Sequence, residues 1–491
     1  MAKLTLLPEE TRGTLRPALY GHFIEHLGRC IEEGIWVGED SAVPNTGGIR
    51  DDVAAALRKL APPVFRWPGG CFADDYHWRD GIGPRAHRPR RVNAWWGGEE
   101  SNAFGTHEFV DFCRRVGAQP YICLNVGSGS PREAAAWVEY CNYDGDTTLA
   151  RERAANGAPR PFAVPYWAVG NENWGCGGRF DPDDYAREYR RFACYLRSRS
   201  SSPIQLVACG HTTPDWNPTF LEALGDLRTL DHLSIHHYST CGGAADFSDT
   251  EYYNLFARAL AVEHHIAAAE AALRLYNRTE RRIGVIVDEW GAWHPEARRD
   301  NGLWQHGTLR DGLVAAALLD AFARHADTVA MANIAQTVNV LHALCQTDGP
   351  AMWLTPTYHV FRLYKEHMGR QAIRVGLDDV PTVEARGADG RRVALPVLSA
   401  SASFDQEKGT VALTVQNLHL EDPVECRIAL PRGSLGKAAA RILTAGDVRQ
   451  SNDAQAPRRV RVRRFALETG ARSLRATLPP HALVGIRMAL A

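Results

Sequence analysis

No uninterrupted apolar stretch in this 491-residue chain approaches the roughly 18 residues that a membrane helix requires. The longest candidate, Leu313 to Leu319, is short and is followed at once by Asp320, so no membrane association is expected. An excess of either charge is also missing: 56 Lys+Arg stand against 57 Asp+Glu, for a formal net charge of -1. A dedicated nucleic-acid binder usually carries a strong basic excess, so nucleic acid is not an expected partner. The N-terminus, MAKLTLLPEETRG, lacks the long apolar core and small-residue cleavage site of a secretory signal. There is no CxxC pair, and the eleven cysteines are odd in number and irregularly spaced. Neither a disulfide framework nor a zinc site is therefore indicated. Cys123, inside PYICLNV, represents the rest, since a reduced thiol in an apolar run acts as a small buried hydrophobe. These absences predict a soluble, cytoplasmic protein.

What is present is pattern. At roughly 100–200 residues per domain, the length requires more than one small module. Eight short apolar runs, beginning with LYGHFIEH and ending with DTVAMANIAQTVN, alternate with amphipathic segments. Helical spacing of apolar residues predicts helices over 49–60, 107–116, 181–198, 249–277 and 308–326. Eight strands alternating with helices predict a (β/α)₈ barrel or a doubly wound open sheet. After residue 370 the chain has short alternating stretches and turn residues, which predict an all-β sandwich. The expected division is a barrel over 15–370 and a β-sandwich over 371–491, joined by an N-terminal strand at 1–14.

The chemistry concentrates where apolar runs end, which is where a parallel barrel presents its working loops. WAVGNENWGCGG runs into Gly170-Asn171-Glu172, and IGVIVDEWG ends in Asp288-Glu289-Trp290. Two strands that each end in a glutamate near a tryptophan supply the parts for a two-carboxylate glycosidase, whose retaining form needs carboxyl groups about 5–5.5 Å apart. Strand alternation puts Asp288 on the face opposite Glu289, so only one of the two should reach the mouth. YGHFIEH carries Glu25, His22 and His26, while LSIHHY carries His236, His237 and Tyr238. These imidazoles read as hydrogen-bonded structural groups, and no metal site is expected from them. The adjacent Trp95 and Trp96 in a Gly-rich loop suit stacking on a sugar ring.

In order along nearly the whole chain, FIEHLGR, RWPGGCFADDYHWRDGIGP, NAFGTHEF, WAVGNENWGCGG, LSIHHY, VDEWG, MANIAQTVNVL and LTPTYHVF resemble the α-L-arabinofuranosidases of glycoside hydrolase family 51. The resemblance implies a (β/α)₈ TIM barrel with a C-terminal, jelly-roll-like β-sandwich and a retaining, exo-acting arabinofuranosidase without a cofactor. It implies Glu172 as general acid/base and Glu289 as nucleophile. Asn171 is then the partner of the sugar 2-hydroxyl, with Glu25, Tyr238 and Gln336 as further furanose contacts. Cys71 stands where many relatives have Asn, and a thiol donates a poorer hydrogen bond than an amide. The implied substrate is an arabinose-containing oligo- or polysaccharide, and the implied assembly a homo-oligomer, as large as a hexamer. The alternatives are another retaining glycosidase of the same clan, such as a β-xylosidase, galactofuranosidase or endoglucanase, or a carbohydrate-binding protein without catalysis.

Overall fold

The computed structural model describes residues 1–431, 435–470 and 473–490. Eight parallel strands close into a barrel in chain order. They are Gly21–Phe23, Val64–Trp67, Gln119–Leu124, Tyr166–Val169, Gln205–Cys209, His232–Ser239, Gly284–Ala292 and Val329–Ile334. Each lies, to within a residue, inside one of the eight apolar runs, because a strand covered on both faces needs apolar residues throughout rather than in alternation. Closure is made by the eighth strand on the first, with Asn333 opposite Gly21, which excludes the open sheet. Gly21 is required there, since a Cβ would run into the side chain of Asn333. Val64, Tyr121, Cys123, Ala168, Val207, Ile286 and Met331 form a buried cluster inside the barrel.

Every barrel strand is followed by at least one helix, and the helices pack their apolar stripes on the outer faces of the strands. The run 249–277 is two helices, Asp249–Ala259 and Val262–Tyr276, separated by a turn at Leu260-Ala261. No Gly or Pro marks that turn, and the apolar spacing continues through it, so the pattern alone reads as one helix. Helices Pro131–Asn142, Thr148–Ala155, Trp216–Leu224 and Pro356–Tyr364 complete the set.

Most strands of the C-terminal region lie in one ten-stranded sheet, apart from the hairpin Thr382–Arg386 with Arg392–Pro396. Strand Ala2–Thr14 lies inside it, antiparallel to Gln371–Asp378 and parallel to Val424–Ala429. Leu4, Leu6, Val411, Leu413, Ile428, Leu478 and Val484 from across this sheet share one apolar core, so the sheet wraps over itself as a sandwich does. The sheet docks on the barrel through helix Leu309–Arg324, which is almost wholly buried. That burial explains the apolar run Leu313 to Leu319. Asp320, at its end, accepts from Ser399 Oγ at 2.6 Å and from Tyr364 OH at 2.7 Å. Among the described residues no helix is long and apolar enough to cross a membrane.

Candidate active site

The seventh barrel strand carries a β-bulge. Ile235 pairs with Val287, but the next residue, His236, pairs with Glu289, which leaves Asp288 as the extra residue. A bulge resets the alternation of side chains. Asp288 follows Ile286 into the barrel by ordinary alternation and accepts from Tyr121 OH at 2.8 Å and Asn333 Nδ2 at 3.0 Å; the bulge acts on the residue after it. Glu289 points inward as well, and Trp290 returns to the outer face, where it stacks on Phe361. The expectation that Asp288 would face away from Glu289 is overturned, because a simple alternation holds only where the register is unbroken.

The fourth strand ends at Val169, and Gly170 turns the chain with φ +90. Glu172 is itself left-handed at φ +43, an uncommon conformation for a residue with a Cβ. The loop is held by Gly175 N and Gly177 N, which both donate to Glu172 O, and by Asn173 Nδ2, which donates to Gly177 O. Backbone strain of this kind costs on the order of 1–3 kcal/mol and persists where its surroundings enforce it. Here it aims the carboxylate at His236, whose Nδ1 lies 2.8 Å from Glu172 Oε1 and 3.6 Å from Glu289 Oε2. One carboxylate oxygen of each glutamate and a ring nitrogen of His236 lie within 4.8 Å of one another.

Glu289 is surrounded by donors. Arg66 Nη1 reaches Oε1 at 2.7 Å and Tyr238 OH reaches Oε2 at 2.6 Å. Burial alone would raise the carboxyl, but His236, Arg66 and Tyr238 hold it below the ordinary glutamate range. His236 is pushed above the ordinary imidazole range: burial opposes this, and the charge of Glu289 with the contact to Glu172 overcomes it. Arg66 also donates through Nη2 to Asn171 Oδ1 at 2.5 Å, and its Nε is 3.5 Å from Asp288. One buried guanidinium thus joins both carboxylates of the DEW motif to the asparagine preceding Glu172.

A further buried carboxylate lies alongside. Glu25 Oε1 accepts from Trp96 Nε1 at 2.8 Å and Phe72 N at 3.1 Å, and Oε2 accepts from Gln336 Nε2 at 2.9 Å. Burial first, and then the charge of Glu289, push Glu25 up to about 7. The Gly69-Gly70 turn makes room for it, since a Cβ on Gly70 would lie 2.6 Å from the Glu25 oxygens. Asp74 supports the loops behind the site: its Oδ1 accepts from Val126 N and Gly127 N, and its Oδ2 has no partner among the described residues. Burial pushes Asp74 up to about 7.

Cys71 is not a free thiol. It forms a disulfide with Cys176, and the two sulfurs lie 4.0 and 3.6 Å from Glu172 Oε2. The expectation of reduced cysteines throughout fails here because both motifs end at the barrel mouth, where residues 105 positions apart become neighbours. A disulfide sulfur has no proton, so it offers a polarizable surface rather than a donor. The remaining nine cysteines are free, and all but Cys194 are buried.

The structure gathers Glu25, Cys71, Asn171, Glu172, Tyr238, Glu289 and Gln336 at one mouth. Sequence reasoning passes over Arg66 and Cys176, and leaves His236 as a structural group. The available signal for Arg66 is a lone charge in the middle of an apolar strand run, VFRW.

Comparisons with known proteins give the family. Residues 56–255 match the family model described as α-L-arabinofuranosidase 1 domain, and 288–482 match the α-L-arabinofuranosidase C-terminal domain. An intracellular exo-α-L-arabinofuranosidase of Bacteroides ovatus is 38% identical over 99% of this chain and 95% of its own length. The crystal structure of the family 51 arabinofuranosidase from Xanthomonas axonopodis pv. citri superimposes with a TM-score of 0.93 at 38% identity, covering 99% of each chain. The arabinose complex of α-L-arabinofuranosidase from Thermotoga maritima does so with 0.91 at 31% identity, covering both chains completely. The chain belongs to the α-L-arabinofuranosidases of glycoside hydrolase family 51.

Proposed function

We propose that this protein is a retaining, exo-acting α-L-arabinofuranosidase that releases terminal arabinofuranose from saccharides derived from arabinan or arabinoxylan. The observation that carries this reading is the pair Glu172 and Glu289, whose carboxylate oxygens approach within 4.8 Å across His236. That proximity is in keeping with the roughly 5–5.5 Å between carboxyl groups in retaining glycosidases rather than the roughly 6.5–9.5 Å of inverting ones. Glu289, ionised among Arg66, Tyr238 and His236, attacks the anomeric carbon while Glu172 protonates the leaving oxygen. Glu172 then takes a proton from water, which hydrolyses the arabinosyl ester and restores both groups.

Asn171, Glu25, Tyr238 and Gln336 hold the furanose, with the Cys71–Cys176 disulfide as one wall. Gln336 Oε1 has no partner among the described residues, which leaves an acceptor for a sugar hydroxyl. The barrel of residues 15–370 is the catalytic unit, supported by 371–491 and the strand of 1–14. A cytoplasmic location draws support from the relative named intracellular, and a homo-oligomeric assembly from the resemblance to the family. The test is a panel of aryl glycosides with product anomers followed by NMR. Preference for the α-L-arabinofuranoside with first-formed product of retained configuration supports the proposal; an inverted first product or a preferred xyloside overturns it.

A further inference from the structure

The net charge of -1 conceals a concentration of cations on one face of the molecule. Arg441 and Arg464 stand directly opposite each other on neighbouring antiparallel strands. Arg441 also pairs with Gly485, and Ala439, two residues earlier on the same face, pairs with Arg487. Arg441, Arg464 and Arg487 therefore share one face of the sheet. Helix Pro356–Tyr364 packs on that face at Gly485, where a Cβ would meet Leu363 at 3.3 Å. Beside this contact is a 570 Å³ cavity lined by the three sheet arginines, Arg362, His367 and a single acid, Glu366. Glu366 pairs with Arg370 instead. Arg362 also lines an adjoining 530 Å³ cavity with Arg458, Arg461 and Trp353. Among the described residues, the one ion pair in the run 458–464 is Arg459–Asp453.

Like charges directly opposite across strands are destabilising, and nothing within the described chain neutralises these. Guanidinium groups bind carboxylates in a two-pronged geometry, and a run of them spaced along a cavity matches the regularly spaced carboxylates of a uronate chain. We propose that this double cavity binds an acidic polysaccharide, a chain of uronate sugars, at a site separate from the barrel mouth. The proposal rests on the reading of the protein as a saccharide hydrolase: an arabinose-bearing polymer with an acidic backbone would be held by its carboxylates while the barrel trims its neutral branches. A nucleic acid fits less well, because its density of charge calls for a broadly basic surface that the overall balance does not provide.

The experiment is binding of the full-length enzyme to polygalacturonate by affinity electrophoresis. Debranched neutral arabinan, poly-L-glutamate and a single-stranded oligonucleotide serve as comparisons. Activity on an aryl α-L-arabinofuranoside is measured in parallel. The expected result is selective retardation by polygalacturonate, weakened at least tenfold in R441A/R464A and in R487E, with aryl-glycoside turnover unchanged in both. Because these side chains are solvent-exposed, that unchanged turnover also reports intact folding. Equal retardation by poly-L-glutamate or the oligonucleotide, no retardation by polygalacturonate, or full retention of binding in both variants would overturn the proposal. None of these outcomes bears on the aryl-glycoside activity, so failure here and failure of the hydrolase reading are distinguishable.

Discussion

Arg66 donates from Nη1 to Glu289 Oε1 at 2.7 Å, from a side chain that is wholly buried inside the barrel. Its planar fork also reaches Asn171, so the strand bearing Glu289 and the loop bearing Glu172 are tied to one rigid group. Lysine keeps the charge but has no fork. We expect R66K to lose about 10²-fold in kcat, the scale for one preorganised donor, with a smaller change in KM. A variant with near-normal kcat would remove Arg66 from this positioning role.

Tyr238 supplies the other donor to Glu289, at 2.6 Å. It is one of the groups holding that carboxyl below its ordinary range, so its loss should let the pKa rise. In Y238F the acid limb of the kcat/KM profile therefore moves to higher pH, because Glu289 must be ionised to attack. An acid limb that stays in place or moves lower would contradict this arrangement of donors.

The disulfide predicts a thiol count. Denatured without reductant, the protein should react with nine equivalents of a thiol reagent, and with eleven after reduction. Peptide mapping of the unreduced protein should yield a Cys71–Cys176 cross-link. Eleven reactive thiols before reduction would exclude the bridge.

Asp74 provides a stability test. Its folded pKa of about 7 lies above the ordinary value of 3.8, so the folded state holds a proton that the unfolded chain has released between those limits. Stability should accordingly fall as pH rises from about 4 to 7, by about 1.4 kcal/mol per pH unit inside that window. Glu25 contributes with the same sign. Denaturant unfolding of D74N across this range should show a shallower decline than the wild type; an unchanged slope would mean that Asp74 is ionised in the fold.

The barrel is legible in the sequence because each of its strands is buried on both faces and so leaves an apolar run. The two glutamates stand out because they end such runs beside Gly and Trp. That Glu289 shares the inner face with Asp288 escapes such a reading, because its orientation depends on the register with His236 on the neighbouring strand, which no single segment encodes. Cys71 and Cys176 are brought together only in space. The turn at Leu260-Ala261 has no Gly or Pro to mark it, and packing alone divides the helix there. The basic cavity is hidden for a related reason. Its arginines come from residues 362, 441, 464 and 487, and acids elsewhere cancel them in the total.

The most direct test of the central claim compares E289A and E172A on an aryl α-L-arabinofuranoside with added azide, with the glycosyl azide identified by NMR. If Glu289 is the nucleophile, azide takes its place in E289A and gives the inverted product. If Glu172 is the acid/base, azide in E172A attacks the covalent intermediate and gives the retained product. The reverse assignment of products, or near-normal turnover by either variant without azide, would contradict the account.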